Sequence, residues 1–295
     1  MPPTPAATMR HSIALTVNTA IPPYRPMTKP LHCILCQGDI AWNRPEENLL
    51  RWESMIRKAP EESRLVILPE MCLTGFVMEE NVASDAAAGT QRKSLAELST
   101  RYGKHLIAGL NVTEDGKRYN RMQFFSPTGE ERHYDKRHLF RMGGETQWYS
   151  VPDDTAPSCA TGDFRASVFP CEGWRLYPQI CYDLRFPESC RNRYLNGEFL
   201  YDCLVVIANW PQSRSEAMRT LAKARAIENM AYVLLVNRIG TDGNGIAHNG
   251  ESAVIDFKGN IVAELPEGEE GLIEARLSYS DLQDFRHAFP NHLDW

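Results

Sequence analysis

Four residues of different chemistry stand at the ends of apolar, strand-like runs. Glu70 closes Leu65-Val66-Ile67-Leu68-Pro69-Glu70, and Lys136 lies in Tyr134-Asp135-Lys136-Arg137-His138-Leu139-Phe140. Cys181 closes Leu176-Tyr177-Pro178-Gln179-Ile180-Cys181, and Asn209 ends the next run before Trp210-Pro211. Carboxyl ends of strands are where open α/β sheets present their sites. A thiol needs a base to become a strong nucleophile, and a buried carboxylate can be that base. The oxyanion of a tetrahedral intermediate needs positive charge and N–H donors. Glutamate, lysine and cysteine therefore compose a complete acyl-transfer set. Taken singly, each has a plainer explanation. Glu70 and Glu145, the latter after Gly143-Gly144, read as solvated loop acids, Lys136 as a surface lysine, and Cys181 as a small packed hydrophobe. It is the combination that carries the chemistry.

Rival motifs are missing from the sequence. There is no Gly-x-Ser-x-Gly elbow, no His-Glu-x-x-His and no phosphate-cradling loop. Asp242-Gly243-Asn244-Gly245 loosely resembles a calcium loop but lacks the remaining ligand spacing, so it reads as a turn. Cys33-Ile34-Leu35-Cys36 has the spacing of a redox or zinc pair, yet it sits in an apolar run without a second Cys/His pair. The other cysteines, Cys72, Cys159, Cys171, Cys190 and Cys203, read with it as buried free thiols of a reducing compartment.

Short Val/Ile/Leu-rich runs must position these groups. Strands are expected over residues 31–37, 65–68, 105–110, 121–126, 174–181, 203–209 and 232–237. A late hairpin joins 252–256 to 261–264 through Lys258-Gly259, and a strand over 271–277 follows. Helices are expected between them: one capped by Asn43 and running to Lys58, one from Gln91 to Tyr102 stopped by Gly103, one opened by Pro187 and closed by Gly197, and one from Arg214 to Met230. Alternating units with antiparallel hairpins indicate an α/β layered fold in one domain. The 295 residues, 43% of them hydrophobic, can bury a sizeable core. A net charge of -6 excludes a general basic field for nucleic acid, and no run approaches the length of a membrane span. Residues 1–29 hold six prolines and no acid, and read as a disordered leader ahead of a domain over 30–295, with Met27 a possible start.

The blocks Leu68-Pro69-Glu70-Met71, Tyr134 to Phe140 and Cys181-Tyr182-Asp183-Leu184-Arg185-Phe186-Pro187-Glu188 resemble, in order, the three catalytic blocks of the nitrilase (carbon–nitrogen hydrolase) superfamily. Ala208-Asn209-Trp210-Pro211, Ala224 to Asn229 and Asn237 to Gly245 make the chain similar to the bacterial omega-amidase branch. The resemblance implies a four-layer α-β-β-α sandwich that pairs into a homodimer, and a cytoplasmic enzyme that needs no metal or organic cofactor. It implies Cys181 as nucleophile, Glu70 as general base, Lys136 and the Tyr182 N–H as oxyanion donors, and Glu145 as an additional glutamate. The implied substrate is a small amide of a 2-oxo acid. Tyr182-Asp183 after the cysteine separates the chain from true nitrilases, which carry Trp-Glu there. The same block is shared with deaminated-glutathione amidases, so that substrate, an N-carbamoyl compound, and a non-catalytic binding subunit remain as alternatives. Arg185 is positioned to hold a substrate carboxylate or to pair with Asp183 or Glu188. Phe76 and Trp210 are expected to line the acyl pocket or to belong to the core.

Overall fold

The computed structural model describes residues 29–85, 89–152 and 168–295. The expected leader up to residue 28, Met27 with it, and Cys159 lie outside the described residues. Strand β1 (Leu31–Gln37), helix α1 (Pro45–Lys58), β2 (Leu65–Ile67), α2 (Thr90–Tyr102) and β3 (His105–Glu114) form two successive crossovers with the three strands parallel. From β3 the chain reverses through Asp115-Gly116, both left-handed, into β4 (Lys117–Phe125). Asp-Gly suits a two-residue turn whose twist matches the flanking strands, which carries both strands beyond their expected limits. β5 (Glu131–Asp135) adds antiparallel to β4, and α3 (Glu145–Trp148) is a single turn.

The second half repeats the scheme. β6 (Phe169–Cys171) pairs antiparallel with β7 (Trp174–Ile180), which leads through α4 (Pro187–Cys190) and a small hairpin of β8 (Tyr194–Leu195) and β9 (Glu198–Phe199). β10 (Cys203–Ala208), α5 (Ser215–Asn229) and β11 (Tyr232–Asn237) follow, with β10 parallel to both β7 and β11. The hairpin β12 (Ile239–Thr241)–β13 (Ala247–Asn249) precedes β14 (Ala253–Ile255) and β15 (Ile261–Glu264). β16 (Gly271–Leu277) then crosses back to pair antiparallel with β1, and α6 (Tyr279–Ala288) is followed by a short 3-10 helix over Asn291–Asp294. The two six-stranded sheets have the orders β16-β1-β2-β3-β4-β5 and β15-β14-β11-β10-β7-β6.

The apolar pattern makes these sheets the middle of four layers. In β1, Leu31, Cys33 and Leu35 face the inter-sheet core with Phe124, Phe169 and Trp174, while Ile34 and Cys36 face a second core under α1 and α2. A third core lies between the other sheet and α5, around Met218, Ala222 and Ala226. Cys33 and Cys36 therefore point to opposite sides of one sheet and cannot share a ligand, because successive side chains alternate across a strand.

Three local expectations are corrected. Asn43 does not cap α1: it is itself left-handed, and its side-chain oxygen accepts the Ala83 N–H at 2.8 Å. The helix opened by Pro187 stops at Cys190, and Gly197 instead forms the β8–β9 turn with Asn196, both at positive φ. The strand before the cysteine ends at Ile180, so Cys181 is the first residue of a short 3-10 turn. The Asp242 turn is as expected, its Oδ1 accepting the N–H groups of Asn244 and Ile246.

Burial pushes the thiols of all seven described cysteines up, to about 12 at Cys33 and Cys190. The unfolded chain then releases these protons first, so alkali favours unfolding. Under reducing conditions the unfolding free energy from urea titration is expected to hold below pH ~8.5 and to fall above it, by up to about 1.4 kcal/mol per pH unit for each thiol, with the urea midpoint falling alongside. An unchanged midpoint at pH 10 would contradict this.

Candidate active site

The parallel strands β2, β7 and β10 all point their carboxyl ends to one edge of the sandwich, and β5, which runs in the direction of β3, ends there too. Glu70 follows β2 in a tight loop held against β3. The Gly109 N–H donates to the Pro69 carbonyl at 3.2 Å, and the Cys72 N–H donates to the Gly109 carbonyl at 2.9 Å. A Cβ on Gly109 would lie 2.5 Å from the Glu70 Cα, so only glycine lets the loop approach this closely. Lys136 follows β5 and donates its backbone N–H to the Asn120 carbonyl at 2.9 Å. Cys181 follows β7 at φ 47°, a left-handed conformation that is strained for a residue with a Cβ.

These ends converge on a buried charge cluster. The Lys136 ammonium lies 2.9 Å from Glu70 Oε1 and 3.0 Å from Glu145 Oε2, and all three side chains are fully shielded from solvent. The Asn120 amide donates to both carboxylates, at 2.7 Å to Glu70 and 2.9 Å to Glu145. The Asn209 N–H donates to the other Glu70 oxygen at 2.7 Å, and the Phe140 N–H to Glu145 Oε2 at 2.6 Å. Burial alone would lower the proton affinity of Lys136, but Glu145 and then Glu70 outweigh it and hold the lysine above its ordinary value. Burial raises Glu145, and the neighbouring Glu70 charge adds to the rise against the pull of Lys136. The Cys181 thiol is pushed well up, first by burial and then by the Glu70 charge, with Lys136 and the Asn209 N–H opposing. At neutral pH it therefore rests as the thiol.

Asp183 ties the lysine block to the cysteine turn. Its carboxylate accepts from the Tyr134 hydroxyl at 3.0 Å, the His138 N–H at 2.9 Å and the Ile180 N–H at 3.0 Å, and it meets the His138 ring at 2.8 Å. The His138 ring also stacks on Phe186, centroids 3.8 Å apart. Residues two positions from Lys136 and one from Cys181 thus share one wholly buried anion.

Above the cluster opens a pocket of about 330 Å³ whose lining includes Lys136, Cys181, Tyr182 and Asn209. Phe76, Arg185 and Trp210 also line it, and Trp210 is core as well, its indole N–H donating to the Arg214 carbonyl at 2.8 Å. Arg185 pairs with no carboxylate among the described residues; its guanidinium lies over the Trp210 ring at 4.9 Å. The Asp183 carboxylate is instead taken by the lysine block. Glu70 and Glu145 lie below the pocket and are not part of its lining. Glu145, read from sequence as a generic loop acid, is as buried as Glu70. Reading the sequence misses Asn120 and the Asp183 clamp. Asn120, a polar residue at an inward position of β4, carried a weak signal of its role.

The carbon-nitrogen hydrolase family model matches residues 35–287. The chain belongs to the carbon-nitrogen hydrolase family. Among the relatives of this carbon-nitrogen hydrolase, omega-amidase YafV of Yersinia enterocolitica is 38% identical over 88% of this chain and 94% of its own length. The 2-oxoglutaramate amidase of Bacillus subtilis is 28% identical over 86% of this chain and 93% of its own. A solved CN-hydrolase superfamily protein of Xanthomonas campestris, with an arsenic adduct in its active site, superposes with a TM-score of 0.83 and 34% identity, covering 90% of this chain and 97% of that one. The hydrolase therefore has the expected nitrilase-like α-β-β-α fold.

Gly109→Ala tests how the loop is held. The added methyl must push the Glu70 backbone away, so stability is expected to fall by about 1–3 kcal/mol and turnover by up to ~10²-fold. Unchanged turnover in a folded G109A variant would show that Glu70 placement does not depend on this contact.

Proposed function

We propose that this carbon-nitrogen hydrolase is a cysteine-dependent omega-amidase, which releases ammonia from the ω-amide of a small 2-oxo dicarboxylic acid monoamide such as 2-oxoglutaramate or 2-oxosuccinamate. The observation that carries the reading is the buried Glu70–Lys136–Glu145 cluster directly beneath a pocket that holds both Cys181 and Arg185, the latter without a carboxylate partner among the described residues. The relatives named omega-amidase and 2-oxoglutaramate amidase support the substrate class. Pocket size supports it too, since about 330 Å³ lies at the small end of the range for ligand sites.

In this mechanism Glu70 takes the Cys181 proton as sulfur bonds to the amide carbon. Lys136 and the Tyr182 backbone N–H stabilise the oxygen as it becomes negative. Protonated Glu70 delivers the proton to nitrogen, the C–N bond breaks, and ammonia leaves a thioester on Cys181. Glu70 then takes a proton from water, whose oxygen attacks the thioester carbon. The C–S bond breaks, the acid departs, and the proton returns to sulfur. Glu145 balances the Lys136 charge and fixes the ammonium below the reacting carbon. Trp210, Phe76 and the aliphatic part of the lining hold the acyl chain, and Arg185 holds its carboxylate. We further read residues 30–295 as the catalytic domain of a cytoplasmic homodimer, as the family resemblance implies.

The test is ammonia release from 2-oxoglutaramate, 2-oxosuccinamate, deaminated glutathione, an N-carbamoyl amino acid and a simple nitrile. The two 2-oxo ω-amides are expected to turn over fastest. Cys181→Ala is expected to abolish turnover while keeping the folded circular-dichroism spectrum, and Lys136→Ala to lose about 10²–10³-fold or more. Faster turnover of deaminated glutathione or the carbamoyl compound would replace the substrate and keep the chemistry. Near-wild-type turnover in C181A would sink the mechanism, and silence across the panel would favour a binding subunit.

A further inference from the structure

Among the described residues, three cationic side chains line the pocket: Lys136, Arg185 and Arg214. They are not equivalent. Lys136 is already matched by two carboxylates below the pocket floor. Neither arginine has an ion-pair partner among the described residues. Each guanidinium is instead laid on an aromatic face, Arg185 over Trp210 at 4.9 Å and Arg214 over Phe140 at 5.1 Å. The two platforms are linked, because the Trp210 indole N–H donates to the Arg214 backbone carbonyl. Trp210 is itself fixed by its backbone N–H on Asn237 Oδ1 at 2.8 Å, and Phe140 by its N–H on Glu145. The one carboxylate in the lining among the described residues, Asp242, uses Oδ1 to hold its own turn. His248, also in the lining, is pushed down to about 4 by burial and by Arg238, so it adds no charge at neutral pH.

A guanidinium stacked on an aromatic ring keeps its edge of N–H donors free and loses little side-chain freedom when it captures an anion. Two such groups in one small pocket, with no counter-charge of their own among the described residues, suit the capture of a carboxylate. We propose that Arg214 acts with Arg185 as a two-arginine clamp on the free carboxylate of the substrate, and that Arg214 is a specificity-determining residue separating carboxylate-bearing amides from neutral ones. The proposal rests on the omega-amidase reading above and adds a residue for which the catalytic blocks give no role. The clamp acts on substrate binding: it has no part in the proton transfers at Glu70 and Cys181.

The experiment compares Arg214→Gln and Arg214→Lys with wild type on 2-oxoglutaramate and on butyramide, a neutral amide of similar chain length. R214Q is expected to raise KM for 2-oxoglutaramate by about 10- to 100-fold, the loss typical of a charge-assisted hydrogen bond. kcat/KM for butyramide should stay within about twofold of wild type, and R214K should recover part of the lost affinity. An equal fall on both amides would mean that Arg214 only supports Phe140 and Trp210, and would overturn the clamp. Unchanged KM for 2-oxoglutaramate would overturn it as well. If wild type releases ammonia from neither amide, the reading of the reaction fails, and calorimetry with 2-oxoglutarate still decides the clamp. Binding that is weakened at least tenfold in R214Q supports it, and equal binding, or none to wild type, overturns it.

Discussion

The organisation of this molecule depends on burying one ammonium between two carboxylates. Lys136, Glu70 and Glu145 are all out of water, where a lone ion would be costly and even a good pair leaves desolvation to be offset. One positive charge facing two carboxylates is not balanced, and the surrounding donors respond to that. Asn120 bridges both acids, the Phe140 N–H serves one and the Asn209 N–H the other. Burial first, and then the same crowding of negative charge, keeps the Cys181 thiol protonated at rest. A thiolate formed by losing its proton to water would add another anion to the site. In the proposed mechanism the proton passes to Glu70 instead, which leaves the total charge of the site unchanged.

Each of these groups comes from a different segment, and the sandwich is what brings them within hydrogen-bond distance. The parallel strands of both sheets end at the same edge, and the antiparallel extensions β4 and β5 return the chain so that Lys136 emerges there as well. Two local devices sharpen the placement. Gly109 lets the Glu70 loop touch β3, and the buried Asp183 locks the turn that presents Cys181 to the segment that presents Lys136. The pocket above them has aromatic walls with two arginines seated on them.

Much of this is local and could be read from residue types. Val/Ile/Leu runs of strand length, the order Glu70, Lys136, Cys181 and the turn at Asp242 all depend on near neighbours, and the structure has them where the pattern put them. Local reading went wrong where a signal was ambiguous at short range. Pro187 and Gly197 can bound a helix, but Asn196-Gly197 also favours a hairpin turn, and the chain takes the hairpin.

What the sequence by itself determined was most of the longer strands and helices, though not β5 or α6, and the residues able to do acyl-transfer chemistry, because periodicity and turn preference act over a few residues. Only the tertiary structure decided which polar residues meet. Asn120 reaches Glu70 across 50 positions from within the same sheet, and Asn209 reaches it across 139 from the other sheet, a contact that exists because the two sheets pack face to face. It also decided that β16 closes the first sheet beside β1, that Glu145 is buried instead of solvated, and that Arg214 faces the pocket. No local pattern encodes these outcomes: burial and pairing of a charge are set by what the rest of the chain places around it.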